Sequence, residues 1–228
     1  IRDFAPPYPA GNQAAARSRL DGAERHWNPR PRQSRALDGG VRQWSINGDF
    51  TTLKPTGVAR YARETTLALD ALLTERHPLS EGLALELLVP GPVEDPLPLN
   101  TISVRLVPEY RHPRLPQFWV QAQLPRHVDG GLLSFCNLAP VVSKRHIACI
   151  HDLHTMVAPE SYGRFFRWAH RLILPAVGRR AAAITTVSEF SRAQLAAHGV
   201  APPGKIAVTY NGSDHVDRWD ENLSDLPH

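Results

Sequence analysis

Four places in the sequence put polar side chains just past an apolar run, and ligands of open α/β sheets bind outside the carboxyl ends of such strands. In "IACIHDLHTMVAPESY" the pair His151-Asp152 follows the run directly. A histidine there can donate to a substrate hydroxyl or phosphate, and an aspartate can fix its tautomer or act as a base. His154 completes H-x-x-H, but with no Cys or third ligand in view the spacing is too weak for a metal site. We read His154 as a surface loop residue and expect no metal. In "INGDFTTLKPTGVARYARE" a strand ends at Asn47, Pro55-Thr56-Gly57 form a loop, and a helix begins near Val58. Backbone N–H groups at that helix start would point at an anion, Gly57 allows close approach, and Arg60 adds a charge one turn in. An ordinary βα turn is the alternative. In "TTVSEFSRAQL" Ser188 and Ser191 precede a third helix; capping explains them, and they also face the strand ends. Asn211-Gly212 closes the last run, as a turn or as part of the same site.

Several chemistries lack their signatures. There is no G-x-G-x-x-G, no Walker A loop (G-x-x-x-x-G-K followed by Ser or Thr) and no G-x-S-x-G, which argues against NAD, P-loop ATPase and serine-hydrolase readings. The segment Tyr162–Arg180 carries Arg164, Arg167, Arg171, Arg179 and Arg180 without an acid, interleaved with Phe165, Phe166, Trp168 and Leu172–Leu174. We favour a core helix with a solvated Arg face, with peripheral contact on anionic lipid as the rival reading.

The elements that must position these residues are legible as alternating strands and helices. Apolar runs at Gln43–Asn47, Leu83–Val89, Thr101–Val107, Gly131–Phe135, Ile147–His151, Ala183–Val187 and Ile206–Tyr210 mostly lack period-two alternation, as buried parallel strands do. Helical patterns lie at Val58–Leu73, at Tyr162–Arg180, where Pro175 is expected to kink or split the helix, and at Ser188–His198, stopped by Gly199. The expected fold is α/β, a Rossmann-like, doubly wound, mostly parallel sheet. Residues 1–40, rich in Arg, Ala, Pro and Gly, read as a disordered or linker segment, 41–216 as the domain, and 217–228 as a connector.

Composition narrows the class further. The net charge of +4 and pI of about 9.4 look basic. However, residues 1–40 hold seven Arg against four acids, while the rest holds 19 basic and 18 acidic groups, so the domain is nearly neutral. That removes the argument for nucleic-acid binding. Cys136 and Cys149 lack C-x-x-C spacing and read as small buried residues of a reducing compartment. No apolar run reaches the roughly 18 residues of a membrane span, and no signal-peptide core is visible. The expected location is cytoplasmic, with peripheral contact at the inner face of the membrane as the rival reading of Tyr162–Arg180 would have it.

Taken together and in order, "INGDF…TGVARYARE…LDALL", "LPRHVDGGLLSFCNLAP", "IHDL…PESY", "TTVSEFSRAQL…GV" and "KIAVTYNGSDH" resemble glycosyltransferase family 4, in particular bacterial mannosyltransferase-like enzymes of surface polysaccharide synthesis. The resemblance runs from about Val41 to His215. It implies the N-terminal, acceptor-side domain of a GT-B fold, with a C-terminal donor domain expected beyond it. It implies retaining transfer of a hexose, such as mannose, from a nucleotide diphosphate sugar to a saccharide or lipid-linked acceptor, with no cofactor and no metal. By matching position, Gly57 would face donor phosphates and acceptor, with Arg60 beside it. His151 would contact the transferred sugar with Asp152 in support, and Ser188, Asn211 and Gly212 would line the cleft. Two departures stand out: Val120 occupies a position where relatives often carry an acid, and "NGSDH" is followed by "VDRWDENLSDLPH" rather than donor-domain motifs. Glu86 and Glu94 have E-x7-E spacing but lie far upstream of its place in the family. On this reading the chain alone has little or no activity. A split-enzyme subunit and a noncatalytic saccharide-binding or scaffold domain remain alternatives.

Overall fold

A computed structural model describes residues 41–54, 57–108, 118–157 and 163–213. The proposed segments 1–40 and 217–228 lie outside them, as do Pro55, Thr56 and Tyr162. Seven parallel strands form one sheet: β1 (Arg42–Asn47), β2 (Leu83–Val89), β3 (Ser103–Leu106), β4 (Gly131–Ser134), β5 (His146–Cys149), β6 (Ala183–Thr186) and β7 (Ile206–Val208), in spatial order β3-β2-β1-β4-β5-β6-β7. The fold is the expected Rossmann-like α/β arrangement. Every expected strand exists, but all except β1 and β2 are shorter than the apolar run that announced them. The run counts side chains that pack, whereas a strand needs hydrogen-bonded neighbours.

The chain enters at the sheet's centre, builds outward through β2 and β3, then returns to build the other half. The strand order therefore reverses between β1 and β4, where Ile46 pairs with Leu133. At such a switch point the loops leaving adjacent strands diverge and open a crevice.

Alternation along β1 sends Ile46 to a cluster with Leu87, Val89, Phe50 and Ala62, the last from helix α1 (Gly57–Thr74). Ser45 and Asn47 point the other way. Ser45 donates to Glu86 (2.8 Å), and Arg105 grips the same carboxylate with Nε and Nη2, both at 2.9 Å, so that β1, β2 and β3 share one buried charge. Glu86 is thus occupied structurally. Val120 is buried with Trp119, Leu124, Leu88 and Leu132. A carboxylate at that position would be buried among apolar groups, so the Val is what this core requires.

A four-residue helix, α2 (His154–Val157), precedes α3 (Arg164–Arg180), and α4 (Glu189–Ala197) follows β6. Of the kink or split expected at Pro175, the split does not occur: α3 runs unbroken through it. Leu174 and Val177 on either side are buried against Ile150, Ile184 and Leu195, and apolar burial at ~1.5–3 kcal/mol per side chain offsets a missing helix hydrogen bond. Lys205 Nζ donates to the Gly178 and Arg179 carbonyls (2.8 and 2.9 Å), satisfying groups that the end of α3 leaves open. Cys136 and Cys149 are both buried free thiols. Among the described residues, no helix is long and apolar enough to cross a membrane.

Candidate functional site

His151 stands two residues beyond β5 and is buried. Its Nε2 lies 2.8 Å from the Phe135 carbonyl, which can only accept, so Nε2 carries the proton and Nδ1 is left as the acceptor. Its backbone N–H donates to Asn137 Oδ1 at 2.6 Å. Asn137 in turn donates its own N–H to the Cys149 carbonyl (3.1 Å) and sits at φ 51°, a left-handed conformation that asparagine tolerates better than most residues. Burial holds the imidazole pKa below its ordinary value, and the Phe135 carbonyl and the Asp152 charge oppose this only in part. At neutral pH the ring is therefore an uncharged, oriented group.

Asp152 does not touch His151. It is exposed, and Oδ1 accepts from the His154 backbone N–H (2.9 Å), with His154 Nδ1 3.8 Å away. Its support for His151 is thus by charge, while its hydrogen bond starts α2. Ser188 caps α4: its Oγ accepts from the Ser191 N–H and donates to Ser191 Oγ, both at 3.1 Å.

The other expected residues converge. Gly57 and Arg60 from the start of α1, together with Tyr61 and Glu64, face Tyr210, Asn211 and Gly212 beyond β7 across a half-open cleft of about 340 Å³. Four residues far apart in sequence thereby share one concavity at the carboxyl ends of the strands, where the switch-point rule places ligands. Asp152 lies instead in a separate shallow hollow with Phe190 and Ser191.

The sequence profile of the family described as Glycosyltransferase Family 4 matches residues 55–216. The chain belongs to glycosyltransferase family 4. A search of curated proteins finds no match to it. The family 4 domain is of glycosyltransferase type, and its Rossmann-like sheet is consistent with one half of a GT-B fold.

Three residues of this family 4 domain that the sequence reading passed over stand at or beside these strand ends. Tyr61 lines the cleft and packs edge-on against His151, with ring centroids 4.8 Å apart at 90°. Asn137 fixes the His151 backbone, as described. Asp49, two residues past β1, has both carboxylate oxygens buried without a hydrogen-bond partner among the described residues. Burial pushes its pKa up to about 7 and outweighs the opposing effect of the nearby Phe50 N–H, which stands outside hydrogen-bonding geometry. Its backbone N–H donates to Asn47 Oδ1 (3.2 Å), while Asn47 Nδ2 reaches Ser134 Oγ and the Leu138 carbonyl, both at 3.3 Å. Asn47 thus joins the two loops that diverge at the switch point. The available signal for Asp49 was an acid directly after a buried strand and directly before Phe50.

Proposed function

We propose that this family 4 domain is the acceptor side of a retaining glycosyltransferase. It would move a hexose, with mannose the first candidate, from a nucleotide diphosphate sugar to a saccharide or lipid-linked acceptor of surface polysaccharide. The observation that carries the reading is the shared cleft of Gly57, Arg60, Asn211 and Gly212 with the oriented His151 behind it. Tyr61 and Tyr210 offer ring faces to a sugar, while Arg60, Glu64 and Asn211 offer hydrogen-bonding groups to its hydroxyls. The start of α1 provides N–H groups toward a leaving diphosphate, and fixed dipoles aimed at developing charge are a large source of rate. The neutral His151 would serve the transferred sugar as a hydrogen-bonding group rather than as a cation. We assign no metal or cofactor to the reaction. In this reading a donor-binding half completes the site, and the domain by itself turns over little or nothing.

We also propose peripheral membrane contact at the cytoplasmic face. Trp168 (61% exposed), Leu172 (54%) and Arg171 occupy one exposed stripe of α3, with Arg179 and Arg180 exposed at its end.

The test is saturation-transfer NMR of the chain with mono- and oligosaccharides, alongside release of nucleoside diphosphate from a panel of nucleotide sugars with a donor domain supplied. Saccharide binding that Asn211→Ala weakens, with transfer appearing only when the donor domain is added, supports the reading. Saccharide binding with no nucleotide-sugar effect under any condition favours a noncatalytic binding domain. Sedimentation with anionic vesicles, comparing the natural chain with Arg171→Glu, tests the membrane contact.

A further inference from the structure

Tyr61 is the one side chain described above that belongs both to the cleft and to the surroundings of His151. Its ring meets the His151 imidazole edge-on and lies 6.4 Å from Phe135 at 78°, so it closes the side of the pocket that holds the histidine. Its hydroxyl is 3.2 Å from Thr209 Oγ1, just before the Tyr210–Gly212 segment that forms the far wall of the cleft. Thr209 is itself anchored, its N–H donating to the Thr186 carbonyl at 2.8 Å. One residue on α1 therefore braces the end of β5 with its ring and the segment after β7 with its hydroxyl.

We propose that Tyr61 is a positioning residue, whose ring keeps the His151 imidazole in the orientation that holds Nε2–H on the Phe135 carbonyl, while its hydroxyl registers the far wall of the cleft against that ring. The proposal rests on the reading that His151 serves the transferred sugar. Among the described residues, the titratable groups set against His151 are Tyr61 on α1, Cys149 on β5, whose Sγ lies 3.6 Å from Nε2, and Asp152, which acts by its charge. Burial pushes both the Tyr61 and the Cys149 pKa upward, so near neutral pH both are uncharged, and among the described residues Asp152 is the charge that acts on the ring. Removing the Tyr61 ring would admit water and restore hydration to the imidazolium, which moves the histidine pKa up.

The test uses the full 228-residue chain labelled with ¹⁵N, with the His151 imidazole signals assigned by their loss in His151→Gln. Long-range ¹H–¹⁵N spectra across a pH series report tautomer and midpoint together. We expect the Nε2–H form in the natural chain. Tyr61→Phe should leave it unchanged, with the midpoint moved by less than about 0.2 units. Tyr61→Leu should raise the midpoint by about half a unit or more and mix the two tautomers. The proposal is overturned when Tyr61→Leu leaves tautomer and midpoint in place, or when Tyr61→Phe shifts them as far as Tyr61→Leu does. Should Tyr61→Leu not fold, the natural chain decides: cross-relaxation between the Tyr61 and His151 ring protons is expected, and its absence overturns the contact. These spectra read His151 directly, so failure of the glycosyl-transfer reading is registered separately, by the saccharide-binding measurement.

Discussion

The surroundings of His151 and the cleft beside α1 share a helix but differ in how far their geometry is already fixed. Around His151, the Phe135 carbonyl and the Tyr61 ring hold the imidazole, Asn137 holds its backbone, and the strand-end loops are joined by Asn47. Along the cleft, Gly57, Arg60, Tyr210, Asn211 and Gly212 are all exposed. The glycines make the contrast concrete. A Cβ on Gly48 would lie 2.3 Å from the Leu88 carbonyl oxygen, whereas a Cβ on Gly57 would meet nothing within 4 Å. The wall is built before any ligand arrives, and the cleft is left open for one. Preorganised groups act on charge without rearranging, while a surface that admits a ligand from solvent gains from spare room.

Breaking the wall should cost most. Gly48→Ala drives a methyl into backbone that cannot swing away, and we expect a loss of about 3 kcal/mol in denaturant unfolding. A loss below about 1 kcal/mol would show that the wall yields.

Asp49 sharpens the same side of the comparison through pH. Its folded pKa of about 7 stands above its ordinary value of 3.8, so the folded state keeps a proton that the unfolded chain has released. Stability contributed by the protonated form is therefore lost as pH rises from about 4 to about 7. His146 runs the other way. Burial pushes it down from 6.5 to about 4, so stability is lost as pH falls through that window. The two slopes oppose each other in the natural chain. Asp49→Asn should remove one of them, stabilising the protein at pH 8 by on the order of 3 kcal/mol and leaving stability that climbs with pH between about 4 and 6.5. Melting across a pH series checks both the size and the sign.

Ser188→Ala removes the cap of α4 and should cost about 1 kcal/mol, with no loss of saccharide affinity, because Ser188 lies outside the cleft. The smallest stability effect belongs to Gly57→Ala, within about 0.5 kcal/mol, accompanied by a severalfold weakening of saccharide binding in NMR titration. An equal loss of stability in Gly57→Ala and Gly48→Ala would erase the distinction between wall and cleft.

The sheet was legible because each strand lies in a short, mostly apolar run, and the helices because Val58, Tyr61, Ala62, Leu69 and Leu73 recur at helical spacing. The meeting of Gly57 and Arg60 with Asn211 and Gly212 followed from topology, since ends of parallel strands share an edge. Other features needed coordinates. Tyr61 reads as an ordinary apolar-face residue of α1, and nothing local says that its ring reaches the end of β5. Asn137 looks like a turn residue until its side chain is seen holding the His151 backbone N–H just past the next strand. Asp49 resembles any polar residue after a strand, because burial of a carboxylate depends on what folds over it. The local hydrogen bond of Asp152 with the His154 N–H was not read from the sequence either, although two-residue spacing makes it easy.

The strand order also governs how the protein comes into being. β1 is central to the finished sheet, yet Asn47 and Ser134, whose side chains meet across the β1–β4 seam, are 87 residues apart. At about 5–20 residues per second of synthesis, the nascent chain must carry one half-paired edge of β1 for on the order of ten seconds before β4 leaves the ribosome. A sheet closed this late is slow to form and exposed to wrong pairings meanwhile. The centre of the domain is therefore also where its newly made chain most needs a chaperone.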